Sequence, residues 1–370
     1  MNNSEWKECA IGDILTLEYG KPVIDKDCLD GDTPVYGTNG PIGTSNLEPL
    51  CKIPSIIIGR KGAYRGVHYS PKPFSVIDTG FYVMPKSNDF DMKWLYYKLQ
   101  TFDINRMDSG SAIPSTDRYE IYSLPIKLPP LAIQKEIAKI LYAFDDKIEL
   151  NNAINRNLAE QAQAIFKNWF IDFEPFGGEI PKDWKNGKLS DIAEYEKEKI
   201  DIAKLNIETY YSTENMLSNK AGVSKATNLP AVEQTTRCFP GETIISNIRP
   251  YFKKIFYCTE EIAGCSTDVL CFKPKKESFS FYNYNLLYSN DFFDYMVKGS
   301  KGTKMPRGDK SQIMNYDVVV PTESVISDFN TVVSNILQQI SNNKRENECL
   351  TKLRDTLLPN LMSGELCLNT

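Results

Sequence analysis

Pro129–Ile148 reads PPLAIQKEIAKILYAFDDKI, and Pro321–Ile340 reads PTESVISDFNTVVSNILQQI. Laid over one another 192 residues apart, the two segments agree in pattern more than in identity. Ile133, Ile137, Ile140, Leu141, Phe144 and Ile148 fall on Val325, Phe329, Val332, Val333, Ile336 and Ile340. Further along, Leu158, Ile165, Phe166 and Trp169 fall on Leu350, Leu357, Leu358 and Leu361. The spacings are threes and fours, the period of a helix with one apolar face and close to the heptad of a coiled coil. Each stretch is about 40 residues long, roughly 60 Å of helix. Pro130 suits the first helical position, and Thr322 suits an N-cap before Glu323. Pro359 and Gly364 mark the end of the second helix. A helix this long must bury its apolar stripe, and the partner at hand is the other helix.

The duplication reaches upstream as well. Trp6-Lys7 and Asp13-Ile14 return as Trp184-Lys185 and Asp191-Ile192. Pro54 with Ile56–Ile58 returns 186 residues later as Pro240 with Ile244-Ile245, and Pro85-Lys86 returns as Pro274-Lys275. Gly110–Pro114, Asp117 and Ile121 return as Gly302–Pro306, Asp309 and Ile313, and Ile126, Leu128 and Pro129 as Val318, Val320 and Pro321. The displacement grows from 178 to 192, as two colinear copies with small insertions in the second would give. Outside the helices lie short β-branched and aromatic runs: Ser55–Gly59, Gly80–Met84, Thr243–Ile248 and Val269–Phe272. Pro, Gly, Asn and Asp punctuate them, an α+β pattern. The predicted fold class is therefore α+β, with two pseudo-repeated globular domains separated by two long antiparallel helices forming a coiled coil. The first helix leads into the second head, so the chain can return only antiparallel. The expected boundaries are 1–130 and 175–322 for the heads, and 131–174 and 323–370 for the helices.

Composition removes many functions. The 370 residues carry a net charge of −5, which disfavours coating nucleic acid by bulk charge but leaves room for local basic patches. No run approaches ~18 apolar residues, so no membrane span is expected. The start at Met1–Trp6 lacks a signal-peptide pattern. With no CxxC pair among nine cysteines, free thiols in a cytoplasmic protein are expected. The single histidine, His68, excludes a two-histidine metal site and must anchor any Ser-His or Cys-His site. Phosphate-loop and dinucleotide glycine motifs are absent, as is the Asn-Pro-Pro-aromatic or Asp-Pro-Pro-aromatic tetrapeptide of amino-methyltransferases. Asp13 and Asp191 read as turn or helix caps, not as catalytic carboxylates paired with Asp78 or Asp268. No catalytic residue, metal site or cofactor is assigned.

Basic loops remain as candidates. Lys52, Arg60, Lys61, Arg65 and Lys72 are interleaved with Tyr64, His68 and Tyr69 without an acid. In the second copy, Arg249, Lys253 and Lys254 sit with Tyr251 and Phe252. Lys298, Lys301, Lys304, Arg307 and Lys310 flank a glycine-rich loop holding Thr303, the counterpart of Ser111. Basic loops approach phosphates, and Arg, Asn or Lys among them can read base edges. The blander reading of each is a solvated surface. For His68 it is a loop or core histidine. Trp6, Trp184, Trp169 and Phe170 read as core anchors.

The repeated layout resembles the specificity subunit of type I restriction–modification systems, over essentially the whole chain. The resemblance rests on Leu124–Leu131 (LPIKLPPL) with Gln134, on Ala162–Pro175 (AQAIFKNWFIDFEP) and the second Trp-Lys start, and on Leu353–Leu366 (LRDTLLPNLMSGEL). Tyr36–Gly40 and Gly59–Gly62 resemble loops of that family's target-recognition domains. The second head departs: it has no clear counterpart of Tyr36–Gly40, and Asn247–Phe252 replaces the glycine-rich loop. The resemblance implies that each head reads one half of a bipartite double-stranded DNA target, and that the helices set the spacing and dock two methyltransferase subunits. S-adenosylmethionine and ATP would belong to partner subunits, with restriction subunits as further partners. The implied DNA-binding set is Tyr36, Asn39, Arg60, Lys61, Tyr64, Arg65, His68 and Ser111 in the first head. In the second it is Asn247, Arg249, Tyr251, Lys253, Lys254, Lys301, Thr303, Lys304 and Arg307. The alternative is a two-headed coiled-coil scaffold that binds no DNA.

Overall fold

The computed structural model describes residues 6–22, 31–62, 64–107 and 114–366. The chain divides into two compact units, Met1–Asn151 with Lys344–Thr370, and Asn152–Asn343. Each unit is one head together with a share of both long helices, which span Leu131–Phe170 and Glu323–Ser363.

In the first unit, Lys7–Ala10 pairs antiparallel with Pro125–Leu128. A four-stranded antiparallel sheet follows in the order Leu15–Tyr19, Gly80–Pro85, Ser55–Gly59, Val67–Ser70. Every residue of Ser55–Gly59 is buried, as a strand covered on both faces must be. A smaller sheet holds Gly40–Ser45, Thr33–Gly37 and Ser75–Val76, the last pair parallel. Trp94, Leu95, Tyr97 and Leu99 of the helix Met92–Gln100 are buried in a core that also takes in Ile11, Ile56, Ile58, Phe81 and Val83.

The second unit repeats this plan. Lys185–Lys188 pairs with Asp317–Val320, and a four-stranded sheet runs Ala193–Tyr195, Val269–Pro274, Thr243–Ser246, Ile255–Tyr257. Strand registers agree with the sequence repeat. Lys7 faces Leu128 where Lys185 faces Val320, and Leu15 faces Pro85 where Ala193 faces Pro274. One displacement needs correcting. Ile58 faces Phe81 and Ile245 faces Leu270, so Ile57-Ile58 match Ile244-Ile245 187 residues on. Pro54 and Pro240, 186 apart, are displaced by one residue, with the second copy's Gly241 turning at φ 91° before the strand. Asp13 and Asp191 are local caps: each accepts the backbone N–H three residues earlier, from Ala10 at 2.8 Å and Lys188 at 2.7 Å. Trp184 is buried in the second core, whereas Trp6 is only half-buried.

The two long helices run antiparallel in both units. In the first, Ile137, Ala138 and Leu141 share a core with Leu361 and Met362, and Arg354 Nη1 meets Asp145 Oδ1 at 2.5 Å. In the second, Ala162, Phe166 and Phe170 share a core with Ile326, Phe329 and Val333. The sequence pattern predicts an apolar seam throughout, and here it is corrected. Val332 is exposed, and buried Asn151 and Asn343 occupy the seam. Asn151 Nδ2 donates to Asn347 Oδ1 at 2.9 Å in the first unit, and Asn343 Nδ2 donates to Asn155 Oδ1 at 2.8 Å in the second. The two pairs are the same interaction transposed by 192 residues. Pro359 also lies inside the second helix. The buried Leu361 and Met362 carry the helix past it, and Gly364, at φ 78°, ends it. Among the described residues no helix is long and apolar enough to cross a membrane.

Candidate nucleic-acid interface

In the first head the strand Ser55–Gly59 delivers the chain to one end of the four-stranded sheet, where three further segments meet it. Arg60 and Lys61 donate their N–H groups to Thr79 O, Gly62 donates to Pro114 O, Thr116 to Arg60 O, and Gly66 to Thr38 O. Thr38 Oγ1 donates to Lys61 O at 2.7 Å. The packing is close enough to demand glycine. A Cβ on Gly59 would lie 2.3 Å from Thr38 O, and one on Gly66 would lie 2.3 Å from His68 Nε2 and 2.8 Å from Asn39 Oδ1.

On this frame Asn39, Lys61 and Tyr64 are exposed, Tyr64 at 77%. The Arg60 guanidinium lies 4.8 Å from the Tyr19 ring centroid, and Nη1 donates to Asp78 O at 3.0 Å. Arg118 lies 5.2 Å from the same ring and 5.1 Å from that of Tyr119. Tyr19, Arg118 and Tyr119 escaped the sequence reading. Arg118 stands alone between acids, and only the fold brings it to Arg60.

Two candidates leave the surface. Arg65 is 3% exposed, and its guanidinium donates to Met107 O at 2.9 Å and Asn105 O at 2.8 Å. A buried guanidinium so occupied is a structural clamp. Tyr36 is buried, with its ring packed 5.6 Å from Phe74. His68 is half-buried against Asn39 and Gly66, and burial depresses its pKa, favouring the neutral ring. Its Nε2 has no hydrogen-bond partner among the described residues. Ser111 lies outside the described residues.

The second head builds the same frame from other side chains. Asn247 donates its N–H to Asp268 O and accepts from Gly308, just as Arg60 does with Thr79 and Thr116. The bridge of Lys61 to Ser115 returns as that of Ile248 to Arg307. The missing counterpart of Tyr36 also appears. Tyr36 pairs in parallel with Val76, and Tyr211 with Cys265; Ile77 donates to Tyr36 O, and Ser266 to Tyr211 O. Tyr211-Ser212-Thr213 therefore replaces Tyr36-Gly37-Thr38, and Tyr-x-Thr was the sequence signal for it.

Arg249 donates its N–H to Pro306 O, joining the loop 249–254 to the loop 301–307. Arg249, Tyr251, Lys301, Thr303, Lys304 and Arg307 are all exposed there. Arg307 pairs with Asp268 at 2.9 Å and Lys301 with Asp309 at 2.5 Å, so half of this positive charge is locally balanced. Lys254 turns inward to Thr213 O at 2.6 Å, and Asn247 is buried with Oδ1 unpartnered among the described residues. Those two orientations set them apart from the exposed set.

Comparison with known proteins gives the same picture. The family model described as type I restriction modification DNA specificity domain matches twice, at residues 3–160 and 181–352. The MjaIX specificity subunit of Methanocaldococcus jannaschii is 28% identical over 304 residues, 74% of this chain and 69% of that one. The HindI specificity subunit of Haemophilus influenzae is 24% identical, over 79% of this chain and 81% of that one. The crystal structure of a type I restriction–modification S subunit from M. genitalium covers 98% of this chain and 97% of its own, with a TM-score of 0.59 at 18% identity, a likeness of fold. With one specificity domain matched in each head and the same loop frame built twice, the chain belongs to the type I restriction–modification DNA specificity family, as a specificity subunit.

Proposed function

We propose that each head reads one half of a bipartite duplex target, through the loops at residues 38–40, 60–66 and 114–119 in the first and 211–215, 247–254 and 301–307 in the second. The paired helices set the distance between the half-sites and dock two methyltransferase subunits. The methyl donor, the nucleotide and any restriction subunit belong to the rest of the complex, and this chain supplies recognition.

One observation supports this reading above the others. Backbone hydrogen bonds fix one loop frame in both heads, yet the side chains on it differ: a half-buried arginine stacked on tyrosine at Arg60, an inward amide at Asn247. A fixed frame with exchanged side chains is what reading two different sequences requires, because base edges are distinguished by donor and acceptor pattern. The test is selection of bound duplexes from a library with two randomised segments and a variable spacer, using the full chain with and without methyltransferase subunits. Two separate consensus segments are expected. Retention of no duplex even at low salt would favour the protein-binding scaffold.

A further inference from the structure

We infer that Lys220 and Lys253 of the second unit form a seat for a DNA backbone phosphate, organised by Asn290. Both ammonium groups donate to the same neutral oxygen, Asn290 Oδ1, at 3.1 and 3.0 Å. Two cations on one amide oxygen repel each other, and neither forms an ion pair with a carboxylate among the described residues. Asp294 is the acid whose charge reaches Lys220. Burial first, and Lys253 next, lower the pKa of Lys220. An anion between them relieves that repulsion, and a phosphodiester, whose single negative charge is shared over two free oxygens, fits two converging ammonium groups.

The backbone holds the lysines together at a conformational cost. Asn219, Lys220, Arg249 and Lys253 all have left-handed φ, of 55°, 61°, 50° and 49°. That region is uncommon for residues with a Cβ. The two segments face each other through Asn219 N–H to Phe252 O at 2.8 Å and Lys220 N–H to Lys253 O at 2.9 Å. Lys220 is further fixed over the Tyr288 ring, 4.5 Å from its centroid. The seat adjoins Arg249, whose loop carries the proposed base-reading side chains. Among the described residues the first head shows no equivalent: there the corresponding loop turns Arg65 into the interior.

The inference rests on the DNA reading above, so the experiment separates the two. The full chain is titrated with a random-sequence duplex of ~30 base pairs between 50 and 300 mM KCl. Lys220→Gln/Lys253→Gln should lower the slope of log affinity against log salt by about 1, the loss of one phosphate contact. Lys220→Arg/Lys253→Arg should keep the slope, as should Lys204→Gln/Lys225→Gln, whose lysines pair with Asp201 and Glu208. Lysine acetylation of the wild-type chain, read by mass spectrometry, is independent of variant folding. Lys220 and Lys253 should be protected by bound duplex, and Lys204 should not. Salt-dependent binding by the wild type, with unprotected lysines and an unchanged slope, overturns the seat alone. Absence of duplex binding by the wild type overturns the DNA reading itself.

Discussion

Arg60 and Asn247 occupy one backbone position in two heads: each donates its N–H to the residue just before the next strand's start, to Thr79 and Asp268, and the carbonyl of each accepts from a later segment, from Thr116 and Gly308. Their side chains go opposite ways. Arg60 rises over Tyr19, while Asn247 is buried beside Gly308, where an added Cβ would lie 2.7 Å from Oδ1. The side chain at this position is thus set separately in each head, on a backbone frame that does not change.

The first prediction concerns the pair of guanidiniums around Tyr19. Arg60→Ala and Arg118→Ala should each weaken binding by about 1–3 kcal/mol if they contact a base, with discrimination relaxed in one half-site only. Competition between duplexes randomised in one half at a time measures this. Equal loss in both halves would assign the arginines to general charge.

Arg65 should behave differently from its neighbours. Arg65→Ala leaves the buried Met107 O without its donor, at a cost of about 1–3 kcal/mol, while Asn105 O, on an exposed residue, loses a partner that water can replace. Thermal melting should show the loss, while duplex affinity of the folded fraction should hold. A variant of wild-type stability with weakened DNA binding would return Arg65 to the interface.

Legibility in the sequence followed the physics of each feature. The long helices were readable because burial imposes a period, and Ile137 and Phe329 keep it in both copies. Asn151 and Asn343 were not, because an amide in a seam looks like solvent-facing polarity until its partner is known. Tyr211 escaped because parallel strand pairing preserves backbone position and retains only Tyr and Thr from the first copy. Arg65 and Arg60 carry the same charge in the same loop, and composition says nothing of which guanidinium turns inward. Lys220 is isolated in sequence, and only hydrogen bonds to the loop of Lys253 give it neighbours.

Acid should stabilise the second head. Glu242 is buried, with Oε2 accepting from Cys271 Sγ and from the Phe239 N–H, both at 2.8 Å. Burial first, and the nearby Glu196 carboxylate, raise its pKa to about 7 from an ordinary 4.5. The folded state therefore holds a proton that the unfolded chain releases near pH 4.5. Its contribution is fully present below that pH and is lost as pH rises through about 7. Melting temperature should fall across this window, and Glu242→Gln should flatten the fall. Identical profiles for variant and wild type would show that Glu242 does not titrate there.

The helix pair offers the most direct test of spacing. One heptad inserted after Asn152 and one after Lys344 preserves the seam's period. Both insertions fall between the Asn151–Asn347 and Asn155–Asn343 pairs, so each amide pair survives intact. Each helix lengthens by ~10 Å, which corresponds to ~3 base pairs of B-DNA at ~3.4 Å each. Those base pairs also rotate one half-site by roughly 100° about the duplex, because a turn takes ~10–10.5 base pairs. The preferred spacer should therefore grow by about 3 base pairs while affinity falls, since a longer ruler does not restore the angular phase. Spacer selection with wild type and insertion variant side by side reads both effects. A folded, DNA-binding variant with an unchanged spacer preference would mean that the helices do not set the distance.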